Sequence, residues 1–191
     1  MLTDYLSVGA TSMSKREELL AAAQSKVRSG GYRNFSFREL ATEVGIKSAS
    51  VHYHFPTKSD LGAELARQYT DDFLTTLGDP LALFSAGKNP IDIYINQFRR
   101  ALIKDKKMCL CGLLGAESDG LPDKVRYETK RFFERNIVWL EQAYQVVAAE
   151  NKNSAKANAI KTISLLEGAM LVSKTLGDSQ VFEQAVIELT G

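Results

Sequence analysis

The sequence predicts an all-α protein in which a three-helix head, containing a helix-turn-helix, precedes a larger helical body. Three serine or threonine residues in the first 60 are each followed, three positions later, by an acidic residue, which is the capping-box pattern of a helix start. Apolar residues recur at helical spacing along most of the 191 residues, and no segment shows the bounded alternation of a strand. The chain is long enough to bury a sizeable core.

The first helix is predicted to begin at Ser14, where Glu17 completes a capping box, and to end at Gly30 and Gly31. Its buried stripe would be Leu19, Leu20, Ala23 and Val27. Residues 1–13 carry no helical pattern, so we expect a flexible leader, and Met13 is a candidate native start. We place the helix-turn-helix domain at residues 14–60 and the ligand-binding and dimerisation domain at residues 61–191.

A helix-turn-helix is predicted around Gly45, which can adopt the left-handed backbone of a sharp turn. Ser36 and Glu39 form the capping box of the helix before it, and a short helix from Ser48 to about residue 54 follows it. The second helix begins with small residues and can enter a DNA major groove about 12 Å wide. This pattern indicates DNA binding.

The run Ser50-Val51-His52-Tyr53-His54-Phe55-Pro56-Thr57-Lys58 resembles the signature of tetracycline-repressor (TetR) type regulators, Thr-(Leu/Val)-Tyr-any-(His/Tyr)-Phe-any-(Ser/Asn)-Lys. The resemblance covers residues 14 to about 73, and its main departure is His52 in place of tyrosine. It implies a cytoplasmic homodimeric regulator, most often a repressor, that binds a partly palindromic double-stranded operator and releases it on binding a small-molecule effector. It also implies that the last two long helices form the dimer as a four-helix bundle.

The predicted DNA contacts fall into two groups. The start of the recognition helix would reach base edges and phosphates, and residues on either side would hold phosphates. The first group is Lys47, Ser48, Ala49 and Ser50, and the second is Arg38, His52, Tyr53 and Lys58. Val51 and Phe55 are expected in the core, while His54 fits either a core hydrogen bond or a phosphate contact.

The body is predicted to be helical throughout. Thr57 and Asp60 open a long helix that ends near Gly78, and a loop with Pro80, Gly87 and Pro90 follows it. Further helices are expected at about residues 91–104, 111–117, 122–150, 154–176 and 180–189. The segment 163–172 is apolar almost all round, so we expect a second subunit to cover one side of it. The predicted dimer contacts are Leu165, Ala169, Val172, Val181, Phe182 and Val186.

A ligand pocket is expected in the body, because DNA binding alone does not require so many additional residues. Its candidate lining residues are Phe98, Leu102, Cys111, Phe133, Trp139, Tyr144, Glu167 and Met170. For each apolar member, an ordinary core position is favoured over a place in the pocket wall. Glu167 differs, because a carboxylate in an apolar helix needs a partner or a ligand if it is buried.

Two alternative functions have some support. In a thiol-sensing repressor, Cys111 or Cys109 would have a lowered pKa, because Lys104, Lys106 and Lys107 precede a short helix. In a small helical enzyme, the acids Glu117 and Asp119 could act together. The only two histidines lie in the helix-turn-helix, which disfavours a catalytic triad or a histidine-rich metal site, and Gly112-Leu113-Leu114-Gly115 lacks the lysine of a nucleotide loop. We therefore expect no enzymatic activity, cofactor or metal.

The amino-acid composition constrains the function less strongly than these motifs do. The net charge is +1, and residues 1–60 carry 8 Lys or Arg against 6 Asp or Glu, so the predicted DNA-binding end is only slightly basic. Two cysteines so close together are not a disulfide framework, which fits a reducing compartment. No apolar run reaches the roughly 18 residues of a membrane span, so we expect no membrane association.

Overall fold

The computed structural model describes residues 13–147 and 154–189, and the regular structure in these residues is entirely helical. The head contains α1 (Lys15–Gly30), α2 (Phe37–Val44) and α3 (Ser48–His54), and α4 (Lys58–Leu77) connects it to the body. The body contains α5 (Pro80–Ser85), α6 (Pro90–Arg99), α7 (Leu110–Ala116), α8 (Asp123–Val147), α9 (Ala155–Leu176) and α10 (Gln180–Val186). The all-α prediction is therefore confirmed.

The three predicted capping boxes are all present. Ser14, Ser36 and Thr57 each accept a hydrogen bond from the backbone N–H three residues on. In return, the carboxylate of the acidic residue there accepts a hydrogen bond from the backbone N–H of the capping residue. Gly45 ends α2 with φ of 71°, in the left-handed region that its predicted role requires. The turn and its two helices therefore follow from local signals in the sequence.

Helix α4 runs alongside α8 and makes its main contact with the body there. Gly62 permits this close approach, because a Cβ at this position would lie 2.7 Å from the Tyr32 ring and 3.0 Å from Val125. One turn of α4 thus packs against both the head and α8. Movement in the body can reach the head through this helix.

The connection between α4 and α6 differs from the predicted loop, because α5 lies within it. Asp79 caps α5 by accepting a hydrogen bond from the Ala82 N–H at 2.8 Å, and Pro80 occupies the first turn, where its missing N–H costs nothing. The predicted helix over residues 91–104 is α6 followed by a single π-helical turn over Arg100–Lys104. The predicted end of α8 near Glu150 and the predicted leader over residues 1–12 lie outside the described residues.

The core of the body is aromatic. Phe73 of α4, Tyr94 and Phe98 of α6 and Phe132 of α8 form a cluster with ring centroids 5.5 to 5.9 Å apart. The Tyr94 hydroxyl donates to the Asn136 side chain at 2.8 Å, so its buried polar atom is satisfied. Among the described helices, none is both long and apolar enough to cross a membrane.

Candidate DNA-binding surface and body cavities

Helix α3 is anchored on one side and exposed on the other. Val51 is fully buried and Phe55, directly after the helix, is only 2% exposed, which confirms both as core residues. Ser48 and Ala49 are exposed, Ser50 is half-buried, and Tyr53 is 86% exposed. Tyr53 is the most exposed of the large apolar side chains that the structure describes, so its ring is accessible to a partner.

The two histidines of α3 lie at the edge of this surface. The His52 ring packs edge-on against Phe37 with centroids 4.9 Å apart, and its Nδ1 lies 3.2 Å from the Pro56 carbonyl oxygen. His54 is half-buried, with its ring 5.3 Å from that of Tyr53. His52 therefore has a fixed orientation with the ring still exposed.

Two cations flank α3 without an acidic partner. Arg38, in the first turn of α2, and Lys47, which precedes α3, are both exposed, and neither forms an ion pair within the part of the chain that the structure describes. The nearby Lys26, by contrast, pairs with Glu43 at 3.4 Å. Arg38 and Lys47 are thus available to phosphates.

Lys58, which we predicted to contact a phosphate, is half-buried against the head. Its Nζ donates to the Phe35 carbonyl oxygen at 2.6 Å and lies 4.8 Å and 4.3 Å from the ring centroids of Tyr32 and Phe35. Burial lowers the pKa of this ammonium, although Glu39 and Glu117 act in the opposite direction. We therefore revise its role from a phosphate contact to a link that holds α4 to the head.

One cavity lies between the head and α6, and we call it the head–body cavity. Its volume is about 250 Å³, with polar residues of α1 and of the π-helical turn near aromatic residues of α4 and α6. Its wall includes Gln24, Arg28, Tyr69, Phe73, Gln97, Phe98, Arg100, Asp105, Cys109 and Met170. Arg28 closes one side, because its Nε donates to the Met108 carbonyl oxygen at 2.7 Å.

Another cavity, which we call the Glu167 cavity, has a volume of about 440 Å³ and lies between α7, α8 and α9. Glu167 is the only ionisable residue among the described residues in its wall. Its Oε1 is buried without a hydrogen-bond partner, and burial raises the pKa of the carboxyl to about 7. A Cβ at Gly112 would overlap with Oε2, so any side chain there would displace the carboxyl.

The eight predicted ligand-binding residues do not form one pocket. Phe98 and Met170 line the head–body cavity, and Phe133 and Glu167 line the Glu167 cavity. Leu102 and Cys111 are buried and line neither of them. The other two, Trp139 and Tyr144, are held by hydrogen bonds. The Trp139 Nε1 donates to the Gly78 carbonyl oxygen at 2.7 Å, and the hydroxyls of Tyr144 and Thr162 are 2.6 Å apart.

Several cavity residues were missed from the sequence. Gln24 and Arg28 belong to a helix that we assigned only to support the head, and the sequence carries no signal that their side chains reach α6. Gly112 appeared only as part of a rejected nucleotide loop. The polar residues at i and i+4 on α1 are the single local feature that could have drawn attention to this face.

The predicted lowering of the cysteine pKa values is wrong. Cys109 and Cys111 are buried, and burial, reinforced by nearby Glu167, raises the pKa of both thiols well above the ordinary value. Lys107, one of the lysines upstream, directs its ammonium to Ser25 of α1. Glu117, proposed as half of an acidic pair, instead accepts a hydrogen bond from the Tyr32 N–H at 3.1 Å.

The predicted dimer contacts divide between the surface and the core. Leu165 is 37% and Val172 47% exposed, and Val181 is half-buried. Ala169, Phe182 and Val186 are at most 5% exposed, because they pack inside this chain between α9 and its neighbours, so we withdraw them as direct contacts. Leu171, Leu176 and Ile187 extend the exposed apolar surface, at 56%, 65% and 68%.

A helix-turn-helix head with an exposed recognition helix, joined by one long helix to a helical body with cavities, defines a DNA-binding transcriptional regulator. Residues 19–65 match the family model described as bacterial regulatory proteins, tetR family. The chain is 31% identical to a TetR transcriptional regulator from Legionella pneumophila, with a TM-score of 0.84 over 92% of this chain and 95% of that one. The chain belongs to the TetR family.

Two further relatives agree with this assignment. A TetR-family transcriptional regulator from Agrobacterium tumefaciens is 28% identical, with a TM-score of 0.74, and the match covers 92% of this chain and 95% of that one. The HTH-type transcriptional regulator LmrA from Bacillus subtilis (strain 168) is 23% identical over 168 residues, which are 86% of this chain and 88% of LmrA. The family-model match ends inside α4, and our predicted domain boundary at residue 60 stays a prediction.

Proposed function

We propose that this TetR-family regulator is a cytoplasmic repressor, without enzymatic activity, that binds a partly palindromic operator as a homodimer and leaves it when a small molecule binds the body. The observation that carries the DNA-binding part is α3, with Val51 and Phe55 buried and the opposite face exposed through Tyr53. A helix anchored in this way can enter a major groove without losing its own packing.

We assign three roles on this surface. Ser48, Ala49 and Ser50 lie where the helix N-terminus meets base edges, while Tyr53 and His52 contact the DNA backbone beside it. Arg38 and Lys47 neutralise phosphates, which makes the affinity fall steeply with salt. Few side-chain atoms in this set can read bases, so the shape of the DNA must contribute to specificity.

The test is selection of operators from a random duplex library with the full-length protein. We expect enrichment of two half-sites in inverted orientation, about one helical turn or 34–36 Å apart, or slightly farther if the DNA deforms. Lys47→Met should flatten the plot of log affinity against log salt concentration by about one unit. Failure to enrich any sequence, together with affinity independent of salt, would contradict the proposal.

We infer that the dimer forms through the apolar face of α9 and the end of the chain. Leu165, Leu171 and Val172 of α9 and Ile187 after α10 are exposed apolar side chains that an interface would remove from water. If a second subunit packs on these side chains about a two-fold axis, the two identical faces meet and neither stays exposed to water. The two heads would then lie at opposite ends of one rigid body.

We infer effector control from the contacts between the head and the segment that borders both cavities. Residues 105–117 make four polar contacts with α1 or the residues after it: Arg28 to the Met108 carbonyl, Arg28 to Asp105, Lys107 to Ser25 and Glu117 to the Tyr32 N–H. A ligand that shifts this segment would therefore tilt the head. Ala101→Phe, which adds a ring to the head–body cavity, should change operator affinity, whereas Ala86→Phe on an exposed turn should not.

A further inference from the structure

We propose that the Glu167 cavity binds an organic cation, an ammonium group carried on an apolar body, and that this cation is the effector. The cavity is open to an apolar ligand, since its wall consists of side chains such as Phe133, Ile137 and Ile163. This inference deepens the proposed function and depends on it only for the effect on DNA. Binding of the cation itself can be measured without DNA.

The first argument is the unsatisfied carboxylate. Glu167 Oε1 is buried without a hydrogen bond of ordinary geometry, Oε2 rests against Gly112, and the carboxyl lies beside the Cys109 thiol, which is only a weak donor. Leaving such a group unpaired costs free energy, and evolution rarely retains it without a compensating role. An ammonium N–H directed at Oε1 would supply both the missing hydrogen bond and the opposite charge.

The carboxyl group of Glu167 favours a cation over an anion or a neutral ligand. An anion would meet no positive charge among the described residues of the wall, where Ser164 is the one hydroxyl, and would be repelled whenever Glu167 is ionised. A neutral ligand would gain the apolar contacts but only an ordinary hydrogen bond. Since burial already raises the pKa of Glu167 to about 7, the carboxyl is held ready to ionise when a positive charge arrives.

The third argument connects the site to the head. Met108 and Gly112 belong to the wall of the Glu167 cavity, and the Met108 carbonyl accepts the hydrogen bond from Arg28 of α1. At the other end of α7, Glu117 holds the Tyr32 N–H. A cation that pulls Glu167 away from Gly112 would let α7 move and would disturb both contacts with the head.

The test compares two ligands of nearly the same shape, 2-naphthylmethylammonium and 2-naphthylmethanol, by calorimetric titration of the full-length protein. The wild type should bind the ammonium about 10- to 100-fold more tightly than the alcohol, as a charge-assisted hydrogen bond in a buried site provides. Glu167→Gln should remove this preference and retain binding of the alcohol. Glu134→Gln, which changes an exposed glutamate of α8, should leave the preference intact.

A glycine pair provides a second test that leaves Glu167 in place. Gly112→Ala puts a methyl group where Oε2 rests and should lower ammonium affinity, whereas Gly168→Ala, in the same wall with no atom within 4 Å of its added Cβ, should not. Equal affinity of the wild type for ammonium and alcohol, an undiminished preference in Glu167→Gln, or no binding of the ammonium at millimolar concentration would overturn the proposal. Operator binding without ligand is measured separately, so failure of DNA recognition is distinguished from failure of this site.

Discussion

Helices α3 and α9 solve the same packing problem and present opposite chemistry to the outside. Each buries one side in its own chain, through Val51 in α3 and through Leu166 and Met170 in α9. The exposed side of α3 is short and polar except for Tyr53, while that of α9 is apolar over several turns through Leu165, Leu171 and Val172. A hydrated, charged polymer suits the first surface, and only another protein surface suits the second.

The largest expected effect is on dimer formation through the exposed face of α9. Val172→Asp puts a charge in the centre of the exposed α9 face, and burying it across a dimer axis without a partner should cost several kcal/mol of association free energy. Sedimentation should therefore show monomers with no operator binding. The matched control is Val138→Asp on α8, because Val138 is 53% exposed against 47% for Val172. Two dimeric variants would show that the interface lies elsewhere.

The next effect concerns the buried carboxyl of Glu167 on α9. Because its pKa is raised from 4.5 unfolded to about 7 folded, its contribution to stability is fully present below pH 4.5 and is lost as the pH rises through 7. Neighbouring Tyr94, Cys109 and Cys111 have raised pKa values and stay neutral in this window. Chemical denaturation should show that Glu167→Gln gains stability on the wild type by up to about 3 kcal/mol between pH 5 and pH 8. A difference that is constant with pH would contradict the assigned burial.

A third comparison separates structural from DNA-binding lysines in the head. Lys58→Met should lower the free energy of unfolding by about 1 to 3 kcal/mol, because the Phe35 carbonyl loses its donor, and should leave the salt slope unchanged. Lys47→Met should flatten the salt slope and leave the free energy of unfolding unchanged, since Lys47 is exposed. Denaturant unfolding and salt titrations of operator binding measure the two effects. A flatter salt slope with Lys58→Met would restore the phosphate contact that the sequence predicted.

The head could be predicted from sequence because its signals are local. Ser36, Glu39 and Gly45 determine a helix start and a left-handed turn within ten residues, and the structure has both. The bond from Lys58 to Phe35 could not be predicted, because the residue type indicates a surface position while the bond depends on how α4 packs against the head. The sequence alone identifies the residue but not the direction of its side chain.

The body was harder because α9 is apolar almost all round. Sequence periodicity cannot show which side faces its own chain, so Ala169 was assigned to the dimer although it packs inside the protomer. The cavities were also beyond reach, because they form where helices distant in sequence, such as α1 and α6, fail to fill the space between them. Glu167 was the exception, since a carboxylate in an apolar helix is unusual wherever it points.

The smallest expected effect tests whether the exposed face of α3 binds DNA through Tyr53. Tyr53→Ala should weaken operator binding about tenfold, the equivalent of one hydrogen bond with its apolar contact, at every sequence alike, because a phosphate contact carries no base information. Stability should not change, since the side chain is 86% exposed. Tyr127→Ala on α8, where the side chain is 60% exposed, is the matched control and should bind DNA normally. Tyr53→Phe separates the loss of operator affinity due to the ring from that due to the hydroxyl. Full operator affinity in Tyr53→Ala would mean that α3 presents a different edge to the groove.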